Sequence, residues 1–267
     1  MDASTQNVAE AFSRKAFVYD TFGENHPNLT RMRETVYRHV LDFLNPGAHI
    51  LELNAGTGTD AAFFARQGFV VHATDIAPGM IGRIEEKITQ SDLSDRLTVQ
   101  QVSFTQLDQI DAEPFDCIFS NFGGLNCIDD LRIVTRQVSR LLQPNGIVTW
   151  VVMPPICPWD FAAILKGDWR TAMRRLRRGG VRANVEGVPV MTYYFTPRQV
   201  IAAFDDSFKV MRLQGLSIFA PPADRKNLAV RFPRLYRLLV SVDNKLARIA
   251  PFNGWGDFFI ITLRRHD

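Results

Sequence analysis

Hydrophobic positions recur along this chain at two periods, and the exchange between them marks out its elements. Val8, Ala11, Phe12 and Ala16 fall at helical spacing, so residues 8–19 are predicted to form a helix that turns through Gly23 and Pro27. Residues 31–44 repeat the pattern with Val36, Val40, Leu41 and Leu44 on one face, until Asn45-Pro46-Gly47 breaks it. Short apolar runs then alternate with helical ones. The pattern predicts strands over residues 49–53, 69–74 (ending at Asp75), 97–102, 115–120 and 147–153. Between them it predicts helices over 59–66, 78–88 and 129–142. Thr57 or Thr59 is the expected cap of the first of these, and Gly68 closes it. Gln143-Pro144-Asn145-Gly146 stops the third.

Strands separated by helices, with near-continuous apolar runs such as IVTWVV, predict an α/β fold: a doubly wound, mostly parallel sheet buried on both faces. The rhythm changes after residue 153. Residues 154–195 show no clean alternation and read as an inserted cap. A short helix follows over 197–204, a strand over 208–219, a second, helical insertion over 222–253 and a closing strand over 256–264. Those last two strands lack a crossover of the βαβ kind, which makes an antiparallel final strand the expectation.

Composition narrows the classes. At 267 residues, with 46% hydrophobic and 22% charged, the chain can bury a sizeable core and is neither disordered, collagen-like nor a coiled coil. Its longest apolar run is far short of the ~20 residues of a membrane span. The opening MDASTQNVAEAF lacks a signal-peptide pattern, so the expected compartment is the cytoplasm. Cys117, Cys127 and Cys157 form no C-x-x-C pair and read as free, buried thiols rather than a disulfide or zinc framework. The net charge of +3 hides a division: residues 1–149 carry 12 basic against 19 acidic side chains, and residues 150–267 carry 19 against 9. A second half at +10 suggests an anionic contact or a solvated basic face.

The chemistry concentrates in LELNAGTGTDAAFFA, residues 51–65. A strand enters a turn holding Gly56 and Gly58, where a ligand can approach the backbone closely. The helix that follows presents unpaired N–H groups. Asp75 ends the next strand, where a carboxylate can accept both ribose hydroxyls of an adenosine. Together these features predict a nucleoside-containing cofactor at the carboxyl edge of the sheet. Residues 56–61 also satisfy the G-x-G-x-x-G/A string of nicotinamide enzymes. Glu52 and Asp60 argue otherwise: they would repel a pyrophosphate but accommodate an ammonium and a sulfonium. The electrostatics favour S-adenosylmethionine (SAM).

The segment ILELNAGTGTDAAFFARQGFVVHATDIAPGMI resembles the first motif and the following acidic strand of class I SAM-dependent methyltransferases. PFDCIFSNFGGLNCIDDLRIVTRQVSRLLQPNGIVTW resembles their fourth strand, helix and fifth strand. The resemblance covers residues 45–153 and the last strand, GDFFIITLR, and implies seven strands with the last one antiparallel. It also implies roles. Glu52, Asn54, Ala55 and Gly56 would surround the methionine part of the cofactor, and Asp75 would hold the ribose. Ile76 and Met80 would lie against the adenine, with Ser103 and Phe104 at its edge. Asn121 and Phe122 would flank the methyl group, and Tyr19 would fold over the cofactor. Asn54 stands where the family usually has glycine, and asparagine tolerates left-handed torsions. The family often has an acidic residue near Ser103.

On this reading residues 1–44 cover the cofactor, 45–153 bind it, 154–255 cap the acceptor and 256–267 complete the sheet. The expected activity is in-line methyl transfer to a small-molecule acceptor, releasing S-adenosylhomocysteine (SAH). Asn121-Phe122-Gly123-Gly124 is not the N-P-P-Y string of nucleobase or protein amide methylation, and Cys157 is misplaced for cytosine C5 chemistry. No catalytic residue or metal site declares itself. His26 and Glu24 are candidates for a base toward a hydroxyl acceptor, and Tyr193 and Tyr194 for the acceptor wall. Residues 169–178, WRTAMRRLRR, read as an amphipathic helix with Trp169, Met173 and Leu176 on one face; residues 232–239 continue the theme. Such stretches fit a lid, an anionic membrane surface or a lipid-like acceptor. Nucleic acid fits less well, because no RNA-binding module accompanies the modest charge. Two alternatives stand beside this reading: an NAD(P)-dependent oxidoreductase, which would lack the Tyr-x-x-x-Lys pair, and a SAM-binding protein without turnover.

Overall fold

The computed structural model describes residues 3–23 and 26–266. Two N-terminal helices, α1 (Ala3–Gly23) and α2 (Pro27–Leu41), precede β1 (His49–Leu53), α3 (Thr59–Arg66), β2 (Val70–Asp75), α4 (Pro78–Gln90) and β3 (Leu97–Gln101). The chain then crosses to β4 (Phe115–Ser120), α5 (Arg132–Leu141) and β5 (Leu142–Val152). The cap follows with α6 (Pro158–Phe161), α7 (Trp169–Ala172), β6 (Val181–Val185) and β7 (Val188–Thr192). Last come α8 (Pro197–Ile201), β8 (Phe208–Leu216), α9 (Lys226–Arg231), α10 (Pro233–Leu246) and β9 (Phe258–Arg265).

The main sheet has seven strands in the order β3-β2-β1-β4-β5-β9-β8. The first five strands are parallel, and β9 runs antiparallel to both its neighbours, β5 and β8. The doubly wound sheet with a reversed final strand is therefore the observed architecture. Successive side chains of a strand face opposite layers. Ile50, Val71, Phe119 and Val151 pack with Met32, Val36 and Phe64 of α2 and α3. Leu51, Leu53, Ile118 and Trp150 pack with Val134, Val138 and Val200 on the other side. Strand order reverses between β1 and β4, which opens a crevice at their carboxyl ends, the place where such sheets bind ligands.

The structure corrects several local expectations. Gly58, in the left-handed region at φ 74°, caps α3 rather than either threonine, and makes no side-chain cap bond. The Pro144-Asn145-Gly146 stop lies inside β5: Phe115 pairs with Leu142 and Cys117 with Ile147, so the residues between form a bulge. The 154–195 insertion contains a regular hairpin, β6–β7, turned by Glu186 at φ 49° and Gly187 at φ 84°. Two successive positive φ values are what a tight hairpin turn needs. Residues 169–178 are not one amphipathic helix. Only α7 is α-helical, and a separate turn of 3-10 helix spans Arg174–Leu176. Arg175 is 5% exposed while Trp169 is 62% exposed, the reverse of the expected faces. The cause is tertiary: Arg175 donates to Asp160 and Asp257 at 2.8 and 2.7 Å, and this buried ion cluster breaks the helix.

Candidate functional site

The turn between β1 and α3 sits at the crevice. Asn54 takes φ 48° and Gly56 φ 58°, so the left-handed torsion expected of Asn54 is present. The Asn54 side chain crosses to the end of β4, where Ser120 Oγ donates to its Oδ1 at 2.9 Å. A Cβ on Gly124 would lie 2.2 Å from this amide, so the turn after β4 reaches Asn54 only because residue 124 is glycine. At the end of β2, the Gly56 and Ala77 N–H groups donate to separate oxygens of Asp75, each at 2.9 Å. These bonds orient the carboxylate over the glycine turn. Burial raises its pKa to about 6 against the pull of those N–H donors.

A cavity of about 210 Å³ occupies this crevice. Its floor is Asn54, Gly56 and Asp75; Ile76, Met80 and Phe104 form one side, Asn121 and Phe122 another. Tyr19 closes it from α1, together with Phe12 and Lys15. Ser103 lines an adjoining cavity of about 430 Å³, which shares Ile76 and Phe104. Two residues of the proposed set lie outside the lining. Ala55 is buried, its N–H bonded to the Thr74 carbonyl. Glu52 is 1% exposed, and strand alternation puts it in the same layer as Ile50. Burial, then the nearby Asp60, holds the Glu52 carboxyl well above the usual carboxylate range, and its Oε2 has no hydrogen-bond partner among the described residues.

Asp60 is the hub behind the crevice. It pairs with Arg33, accepts from the Tyr37 hydroxyl at 2.5 Å and from Asn121 Nδ2 at 2.8 Å. Asn121 Oδ1 accepts in turn from the Phe122 N–H, and the Arg33 guanidinium lies 5.2 Å from the Phe122 ring centre. Burial raises the Tyr37 hydroxyl, so it stays protonated as a donor.

A larger cavity of about 650 Å³ lies beside the first and shares Lys15, Tyr19 and Phe122 with it. Phe22, Leu29, Met32 and Phe258 give it apolar walls, while Asp20, Arg33, Glu34, Lys87 and Asp257 supply charge.

Other sequence candidates fall elsewhere. Tyr193 and Tyr194 line a separate groove beside Arg175, and Tyr193 also lines the adjoining cavity with Ser103. His26 caps α2, its Nδ1 accepting from the Leu29 N–H at 3.3 Å; Glu24 lies outside the described residues. Of the thiols, Cys117 and Cys157 are buried, whereas Cys127 is half-buried and lines the smaller cavity. Burial pushes the Cys127 thiol up to about 12, so it remains protonated at neutral pH. The sequence reading missed Cys127, Met153 and the hairpin residues Val185, Val190 and Thr192, all of which line the smaller cavity. The alternation of Val181, Ala183 and Val185 before Glu186-Gly187, and of Val188 and Val190 after it, was the available sign.

Comparison with known proteins agrees with this architecture. Residues 50–146 match the family model described as a methyltransferase domain. A malonyl-[acyl-carrier protein] O-methyltransferase of Halorhodospira halophila is 23% identical over 223 residues, 73% of this chain and 70% of that protein. A demethylmenaquinone methyltransferase of Corynebacterium efficiens is 26% identical over 155 residues, 56% of this chain and 60% of that protein. Among solved structures, the 1,6-didemethyltoxoflavin-N1-methyltransferase of Burkholderia thailandensis, with its substrate and SAH bound, matches with a TM-score of 0.56 at 16% identity. That match covers 100% of this chain and 92% of the other. A seven-stranded sheet with a reversed last strand, a glycine turn at its switch point and an acidic residue ending β2 define a nucleoside-cofactor transferase. The chain carries a methyltransferase domain over residues 50–146 and is a SAM-dependent methyltransferase, with SAM as its cofactor.

Proposed function

We propose that this methyltransferase acts on a small, lipid-like acceptor whose apolar body fills the larger cavity. The observation that carries the reading is the junction of the two cavities at Tyr19 and Phe122. The smaller cavity has the parts a SAM site needs: a carboxylate, Asp75, held by two backbone N–H groups, and a turn left open at Gly56, where a Cβ would meet nothing within 4 Å. In this reading Asp75 accepts the ribose hydroxyls, Ile76, Met80, Ser103 and Phe104 enclose the adenine, and Asn54 and Gly56 present backbone to the methionine part. Glu52, buried near the end of β1, backs this turn. Asn121 and Phe122 face the methyl group, residues 1–44 cover the cofactor, and residues 154–255 complete the acceptor side.

When bound, SAM supplies an electrophilic methyl carbon that is displaced in line from its sulfonium. The chain aligns the two reactants and excludes water, which is most of what such a displacement requires. Lys15, Arg33 and Glu34 would meet the polar head of the acceptor, and the aromatic and aliphatic walls its apolar part.

The test combines calorimetry with product detection. SAH is expected to bind and NADH to leave no heat. SAH release is expected with amphiphilic hydroxyl or amino compounds and not with their polar, truncated analogues. NADH binding alone would return the site to the oxidoreductases, and SAH binding without turnover on any acceptor would make the protein a binder.

A further inference from the structure

The second half of α10 is the more firmly anchored. Asp243 in its second half is buried and accepts from the Ile218 and Phe219 N–H groups at 3.1 and 2.7 Å, with Arg31 at 4.0 Å. The opposite end projects. Phe232 is 51% exposed, Leu235 45% and Leu238 60%, and Val230 in the preceding α9 is 74% exposed. Arg231, Arg234 and Arg237 are exposed as well, at three-residue spacing beside the Phe232–Leu235–Leu238 stripe. Residues 226–242 contain no Asp or Glu. An apolar stripe flanked by an arginine stripe, with no acid to neutralise it, is the pattern of a helix that lies in the interface of an anionic bilayer.

Position gives the face a purpose. A surface groove lined by His26, Tyr236 and Arg237 runs between α2 and α10 and shares Thr30 and Glu34 with the larger cavity. Phe22, 57% exposed at the end of α1, lies 5.1 Å from the His26 ring and also borders that cavity. Thr30 and Glu34 thus stand between the groove at α10 and the cavity that reaches Tyr19 and Phe122. A second copy of the chain seated symmetrically on this face would bring arginines against arginines, which disfavours that occupant.

We propose that the face made by α9, the projecting half of α10 and Phe22 docks on an anionic lipid bilayer, holding the mouth of the acceptor groove at the lipid surface. The purpose assigned to the groove rests on the acceptor reading above; the docking does not.

Flotation with vesicles of phosphatidylcholine alone and with 30 mol% phosphatidylglycerol tests it. Binding is expected to the anionic vesicles at low salt, to weaken as salt rises and to be slight on neutral ones. Each arginine near such a surface contributes about fivefold, so R231Q/R234Q/R237Q is expected to bind about 100-fold more weakly while keeping its SAH affinity. L235S/L238S is expected to lose salt-resistant binding. Failure of the wild type to float with anionic vesicles would overturn the proposal. So would equal binding by the triple variant, or a dimer that both variants dissociate without any vesicle binding. No outcome depends on turnover, so a failed acceptor assay and a failed docking assay remain distinct.

Discussion

Gly79 sets how closely α1 approaches the cofactor crevice. It is the second residue of α4, and its N–H donates to Ser13 Oγ of α1 at 3.2 Å. A Cβ at this position would lie 2.7 Å from the Ser13 carbonyl oxygen and 2.9 Å from its Cα, both backbone atoms that cannot turn aside. Ala16 packs on Ala77 and Met80 along the same seam, so α1 must lift by several tenths of an ångström. Overpacking of this kind costs about 1–3 kcal/mol. Helix propensity acts in the opposite direction, since Gly→Ala inside a helix ordinarily gains up to about 1 kcal/mol. The lifted helix carries Phe12, Lys15 and Tyr19 away from the smaller cavity. A net 1–2 kcal/mol, charged to the closed position of α1, corresponds to roughly a 5–30-fold loss of SAH affinity. Gly82, three residues on in α4, is the matched control, because a Cβ there meets nothing within 4 Å. Gly82→Ala is expected to stabilise by about 0.5–1 kcal/mol and leave SAH binding unchanged. Calorimetric titration and denaturant unfolding of the two variants settle the matter. Equal SAH affinity in both would refute the argument that α1 closes on the cofactor.

Asp75→Ala is expected to weaken SAH binding by about 1–3 kcal/mol in calorimetry, the worth of hydrogen bonds to a charged acceptor. Only the ionised carboxylate accepts both hydroxyls, so wild-type affinity should hold above a pH of about 6 and decline below it, a limb that the variant lacks. The stability linkage has the opposite sense: the folded value exceeds the ordinary 3.8, so this group's contribution is fully present below 3.8 and is lost as pH rises through 6. His39, bonded to Thr262 Oγ1 at 2.9 Å and lowered to about 4 mainly by burial, stabilises above its ordinary 6.5 and loses that contribution as pH falls toward 4. Between pH 7 and 5 it should remove about 2 kcal/mol from unfolding free energies, a decline that His39→Gln flattens. Asp257→Ala strips a partner from the buried Arg175 guanidinium and is expected to cost about 3–5 kcal/mol in urea unfolding.

Local pattern carried the reading wherever burial follows chain periodicity. HILEL and FDCIFS coincide with β1 and β4 because parallel strands covered on both faces are mostly apolar. Asp75 and Gly56 were legible through spacing, and the structure brings them within a hydrogen bond. The cap resisted because long-range electrostatics overrode its local signal. WRTAMRRLRR has helical periodicity, yet Asp160 and Asp257, distant in sequence, draw Arg175 inward and leave Trp169 outside. The hairpin escaped because its turn is Glu186-Gly187 rather than the Asn-Gly or Asp-Gly pairs that mark such turns. Asp60 was visible as a charge but not as a hub, since Arg33 and Tyr37 reach it only once α2 packs on the sheet.

That hub touches both chambers. Asn121 belongs to the wall of one, Arg33 and Tyr37 to the wall of the other, and a single carboxylate fastens all three. Whatever tugs on one tether must redistribute the grip on the rest. Were both chambers filled, any coupling carried by this carboxylate would have to be mutual: the factor by which one ligand alters capture of the other is the same in both directions.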